Sequence, residues 1–219
     1  MRFLRKYWDY IALIIAFISG LSLWVFWTDI STLQRLAIGN LLALTIHQFE
    51  EYRFPGGEAA ITNMLMQKND IGPIDGYPLN SNNAMVMNTL IWIPYTLPIL
   101  FPNSIWLAFW PVLMGFAQIV VHVLITPLKL RRIYSPGQIG VVFGHATIGS
   151  YWFYYTISNQ LLTKSDIFWG IILFFIGTFI LMRFIGYGLL KSVNSPYRFT
   201  EEEMERGGYA AWIRQLNNE

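Results

Sequence analysis

The chain has 219 residues, a length suited to one domain. Apolar residues make up 54% and charged residues only 13%, against about a quarter charged in ordinary soluble domains; this excludes a typical water-soluble enzyme and indicates an integral membrane protein. The net charge of +2 excludes a nucleic-acid partner, and the absence of cysteine excludes disulfides, a thiol nucleophile and a thiolate metal site.

Arg2, Arg5 and Lys6 precede the apolar run Tyr10–Trp27. The run is long, ends in Trp-Val-Phe-Trp and offers no small-x-small cleavage site, so it reads as an uncleaved first span. Further apolar runs lie at residues 31–52, 84–101, 104–126, 138–157 and 166–190, each near the ~20 residues that cross a bilayer. The expected fold is an all-α polytopic membrane protein with about six transmembrane helices over residues 1–198, followed by a cytoplasmic or interfacial tail over 199–219. Pro94 and Pro98 in the third span and Pro111 in the fourth are tolerable kinks. The short turn Phe101-Pro102-Asn103-Ser104 makes those two spans antiparallel neighbours.

The longest connection, residues 53–83, contains an amphipathic helix pattern over 58–67, with Ile61, Met64 and Leu65 apolar, and then a turn-rich stretch over 69–78. It reads either as a lid or binding loop or as an interfacial helix plus linker. Asn80 to Asn83 offer N-caps for the third span, and Asp166 an N-cap for the sixth. In the tail, Thr200 and Glu203 fit a capping box with Phe199 as its staple, and 209–216 reads as a second short helix resting on the membrane surface or on a partner.

With the N-terminus in the cytoplasm, 12 of the 15 basic residues fall on the cytoplasmic side, Lys68 among them. This agrees with the positive-inside rule, places both termini in the cytoplasm, and makes an inner or plasma membrane the default location. Trp24, Trp27, Trp106 and Trp169 gather toward the outer ends and Tyr7, Trp8 and Tyr10 toward the inner, as interfacial belts do.

The polar residues inside these spans are the informative ones. His47, Glu50 and Glu51 close the second span and share one helix face. His122 in the fourth span and His145 in the fifth reach the same depth, roughly 7–11 Å below the inner surface at 1.5 Å per residue. Ionisable groups at this depth are costly unless paired, and they mark functional sites. The series His47-Gln48-Phe49-Glu50-Glu51, then Phe54-Pro55-Gly56-Gly57, then His122, then Tyr134-Ser135-Pro136-Gly137 resembles the HXXEE-domain family of small multi-pass membrane proteins over roughly 45–145. Ser135 departs from the commoner Tyr-Asn-Pro-Gly form. The resemblance implies a site at these motifs and no established reaction.

Imidazoles and carboxylates are proper ligands for zinc or iron. His47, His122 and His145 are candidate ligands with Glu51 or Glu50 as a fourth, the remaining glutamate acting as general base. Gln118, one turn from His122, orients a ligand or substrate; Asn88 reaches the same depth; Tyr134 supplies a phenolic donor or an interfacial anchor; Arg183 either balances Glu50 or Glu51 or snorkels to the surface. His145 equally fits a satisfied interhelical hydrogen bond. The expected function is a metal-dependent membrane hydrolase acting on a lipid or other membrane-embedded substrate. The alternatives are a proton-coupled transporter or channel using the same cluster as a relay, and a non-catalytic membrane subunit.

Overall fold

A computed structural model describes residues 1–67 and 71–218. Lys68 and the first two residues of the turn-rich stretch lie outside the described residues. Helices carry the fold, with no strand among the described residues: α1 (Arg2–Val25), α2 (Thr32–Tyr52), α3 (residues 58–66), α4 (Ser81–Leu90), α5 (Trp92–Leu100), α6 (Ile105–Leu130), α7 (residues 140–158), α8 (Lys164–Leu189), α9 (Glu201–Glu205) and α10 (Tyr209–Leu216).

Local chemistry sets the helix starts. Reciprocal capping boxes open α2 (Ser31 with Gln34), α4 (Asn80 with Asn83), α8 (Thr163 with Asp166) and α9 (Thr200 with Glu203). Asp166 is therefore the third residue of its box; the N-cap is Thr163, whose hydroxyl accepts the Asp166 N–H. The third apolar run is broken at Ile91 into α4 and α5. Pro94 explains the break, because it removes the N–H that would reach the carbonyl of Leu90 and its ring crowds that carbonyl.

Three helices, α1, α6 and α8, are long and apolar enough to cross a membrane. The other three runs fall short for identifiable reasons: α2 carries Gln34, Arg35, Asn40, His47, Gln48, Glu50 and Glu51, the α4–α5 pair is interrupted, and α7 is diluted by His145, Thr147, Ser150 and three tyrosines. Exposed apolar side chains such as Phe17, Phe143 and Phe175 face outward, as a lipid-facing surface requires. α2 is the central helix, packed against α1, α5 and α7. α7 approaches it closely through Gly140 and Gly144, where a Cβ would come within 2.8 Å of the His47 backbone and 2.6 Å of Ala43 respectively; this is the small-xxx-small packing of membrane helices.

The connection 53–83 and the tail share one core at the loop end of the bundle. Ile61, Met64, Leu79, Leu130, Phe199, Tyr209 and Ile213 are buried together there. The tail thus folds back onto the connection, and Trp212 Nε1 donates to the Leu130 carbonyl at 2.7 Å.

Candidate metal centre

Two helices and one turn assemble the centre. His47 and Glu51 stand one turn apart on α2, and His47 Nε2 lies 3.4 Å from Glu51 Oε1. On α6 the helix widens into a π-wound turn, Val120–Ile125, which turns His122 inward so that its Nε2 lies 3.1 Å from the same Oε1. Such local widening recurs at functional sites. Donor atoms of His47, Glu51 and His122, all buried, lie within 4.8 Å of one another.

The turn after α6 fixes both rings. His47 Nδ1 is 2.9 Å from the Gly137 carbonyl and His122 Nδ1 is 2.7 Å from the Pro136 carbonyl. A carbonyl only accepts, so each Nδ1 carries the proton and donates it, leaving each Nε2 directed at Glu51. This backbone tether is the outer-shell arrangement that orients histidine ligands of metals. Gly137 has φ +90°, and a Cβ there would sit 2.6 Å from His47 Cε1. Ser135 locks the turn: its Oγ donates to the His122 carbonyl at 2.7 Å and its N–H donates to Gln138 Oε1 at 3.0 Å.

The structure separates the two glutamates. Glu50 accepts from the Tyr134 hydroxyl at 2.5 Å and from the N–H groups of Ile139 (3.1 Å) and Gly140 (3.0 Å). It caps the N-terminus of α7, where free N–H groups and the helix dipole favour negative charge. Tyr134 serves this cap. Glu50→Gln is expected to leave the donor set intact and lower stability by about 1–2 kcal/mol through loss of charge-assisted bonds; thermal unfolding of detergent-purified protein measures it.

Gln118 Nε2 lies 3.4 Å from His47 Nε2, at the edge of the centre. His145 stands near, its ring 6.0 Å from that of His47, but outside the three-residue donor set. Its Nδ1 pairs with Asn40 Oδ1 at 2.6 Å, while its Nε2 is buried without a partner among the described residues. Asn88 is one shell out: its carbonyl and Oδ1 accept from Gln48 Nε2 at 2.8 and 3.1 Å, and Gln48 in turn accepts from Trp92 Nε1 at 2.8 Å. Arg183 is exposed on α8, and no ion pair joins it to Glu50 or Glu51 among the described residues.

Glu58 is a residue that motif reading passed over. The Phe54–Gly57 turn reverses the chain so that Glu58 and Glu51 line one small cavity of about 20 Å³, enough for about one water. Burial first, and then the neighbouring Glu51, push the Glu58 carboxyl up to about 7. Thr62 Oγ1 donates to it at 2.5 Å. The available signal was a lone carboxylate directly after a glycine turn that follows the HXXEE helix.

The donor set fits a metal. With Nδ1–H committed to carbonyls, His122 Nε2 and Glu51 Oε1 face each other at 3.1 Å, a contact that either a shared proton or a bound metal ion satisfies. Tetrahedral zinc with ligand bonds of about 2.0–2.1 Å spaces its ligand atoms about 3.3 Å apart, and the observed separations from Glu51 Oε1 are 3.1 and 3.4 Å.

No curated protein and no solved structure matches the chain. The family model described as a protein of unknown function with HXXEE motif matches residues 38–153, which include His47, Glu51 and His122, and the chain belongs to this HXXEE family.

Proposed function

We propose that the protein is a metal-dependent membrane enzyme, a hydrolase of a lipid or membrane-embedded substrate, with six spans and both termini in the cytoplasm. The observation that carries this reading is the convergence of two tautomer-fixed Nε2 atoms on one buried carboxylate oxygen. His47, Glu51 and His122 hold a zinc- or iron-class ion, which supplies Lewis acidity toward an ester, amide or phosphoester. The Pro136 and Gly137 carbonyls keep both imidazoles oriented. Glu58, across the shared cavity from Glu51, takes the proton of the attacking water and returns it to the leaving group. Glu50 holds α7, and through it the tethering turn, in register with α2.

The basic residues around the loop end support a cytoplasmic placement of the centre. The test is elemental mass spectrometry on detergent-purified protein, wild type beside His47→Ala. About one zinc or iron per chain, absent from the variant, is the expected result. No metal in either protein after zinc is supplied would instead place a proton between His122 and Glu51 and turn the reading to a relay.

A further inference from the structure

Above the metal centre the chain builds a cleft of about 600 Å³ between the start of α1, the end of α2 and the tail. Arg2, Arg5, Lys6, Arg53, Arg198 and Arg206 line it, against two carboxylates, Glu202 and Glu203. Some of these cations are already engaged. Arg53 is held by Asp9 at 2.8 and 3.2 Å, Arg206 by the Tyr52 carbonyl at 2.7 Å and by Glu202 at 3.1 Å, and Arg198 by Asp75 at 3.5 Å. Arg2, Arg5 and Lys6 have no carboxylate partner among the described residues. Arg5 reaches only the Asn82 amide, at 3.4 Å, and the face of Tyr197. The uncompensated positive charge of the cleft therefore lies on the first two turns of α1, while the cations from the end of α2 and from the tail are already paired.

Two further features give the cleft a direction. It shares Arg5, Ser81, Glu203 and Arg206 with the small cavity that Glu51 and Glu58 line, so it leads toward the metal centre. On the outer side of the same helix pair, Leu13, Ile14, Phe17, Leu42 and Ile46 form an apolar groove of about 610 Å³. Lys6, Tyr10, Leu13 and Phe17 follow one another at helical spacing along a single exposed face of α1. Lys6 and Leu13 are seven residues apart, about 10 Å along the axis, close to the distance from a lipid phosphate to its upper chain carbons. Tyr10, which stacks under Arg53 at 4.2 Å and meets Phe49 at 6.3 Å, joins the charged and apolar parts.

We propose that the cleft and groove bind one molecule of an anionic, phosphate-bearing lipid, its headgroup among Arg2, Arg5 and Lys6 and its chain along Leu13, Phe17 and Ile46, and that this lipid class is the substrate of the metal centre. The substrate assignment rests on the hydrolase reading; the binding site stands on the cleft and groove themselves.

The test is native mass spectrometry of the full chain in detergent micelles, titrated with dioleoyl phosphatidic acid or dioleoyl phosphatidylcholine, with metal content measured on the same samples. Phosphatidic acid is expected to bind at least about tenfold more tightly, and Arg2→Ala/Arg5→Ala to remove most of that preference, with metal content unchanged. Lys129→Ala/Lys191→Ala removes the same charge from exposed positions outside the cleft and is expected to keep the preference. Arg2→Glu, at an exposed position, reads the same effect should the double variant not assemble. Equal binding of the two lipids, equal loss in the Lys129/Lys191 control, or displacement of phosphatidic acid by an equal concentration of glycerol 3-phosphate would overturn the proposal. Absence of metal with lipid preference intact would instead overturn the hydrolase reading and leave a lipid-binding site.

Discussion

Replacing Glu51 by Gln is expected to lower metal affinity at least about a hundredfold and to raise the melting temperature of the metal-free protein. The two effects have one origin. Glu51 is buried, and its Oε1 faces two imidazole nitrogens at 3.1 and 3.4 Å whose protons are committed to backbone carbonyls on the opposite side of each ring. A metal ion satisfies all three groups at once; without one, a single shared proton can bridge Glu51 to only one of the two imidazoles. A Gln amide is a weak ligand, but its N–H donates to His122 Nε2 and relieves the metal-free state by about 1–2 kcal/mol, the scale of one satisfied buried polar group. His122→Ala is a less informative variant, because it also orphans the Pro136 carbonyl. Elemental analysis and thermal unfolding with and without chelator provide the measurement. A Gln variant that retains metal, or whose chelated form melts below chelated wild type, contradicts the assigned donor set; the second result is the one a protonated imidazole paired with Glu51 would produce.

The second large effect is at Gly137. Gly137→Ala is expected to destabilise the protein by about 2–4 kcal/mol and to remove metal with it, from backbone strain of about 1–3 kcal/mol plus steric displacement. The residue has φ +90°, and the added Cβ would lie 2.6 and 2.7 Å from His47 Cε1 and Nδ1 and 3.0 Å from His122 Nδ1. One methyl group therefore pushes against both imidazoles and against the turn that orients them. Gly20→Ala is the matched control: its Cβ meets nothing within 4 Å inside the C-terminal third of α1, so helix propensity makes it neutral to stabilising by about 1 kcal/mol. If Gly137→Ala unfolds and binds metal like wild type, the turn does not position the histidines.

Much of the architecture was legible because it follows from short-range rules. Apolar runs located the long helices, and the Thr200–Glu203 capping box is present as its pattern indicates. The break at Ile91 is not evident from a tolerable-kink reading of Pro94; there the missing N–H and the ring crowding fall on the carbonyl of Leu90, the last residue of α4, whereas Pro98 is accommodated inside α5. In the site, i,i+4 spacing places His47 beside Glu51, and His122, expected near them from its position in its own apolar run, does stand beside them. The division of labour between Glu50 and Glu51 was not legible. Adjacent glutamates on one helix are equivalent in sequence, and only the arrival of the α7 N-terminus beside Glu50 distinguishes them. His145 has the right depth, but its ring stands 6.0 Å from that of His47 and it is not among the three residues whose donor atoms converge.

By itself the sequence determined an all-helical chain with apolar, membrane-compatible spans, the HXXEE segment at the end of α2, and a tail that begins with a capped helix. These properties depend on residue type and on spacings of four residues or fewer, which the chain carries locally. The tertiary structure alone decided which carboxylate joins the donor set, that the Pro136 and Gly137 carbonyls fix both imidazole tautomers, that Glu58 returns to the cavity beside Glu51, and that the tail closes over the connection to form a basic cleft. Each of these is a contact between segments distant in the chain. Such contacts depend on where a helix end, a carbonyl or a turn arrives in space, and no local pattern encodes that position.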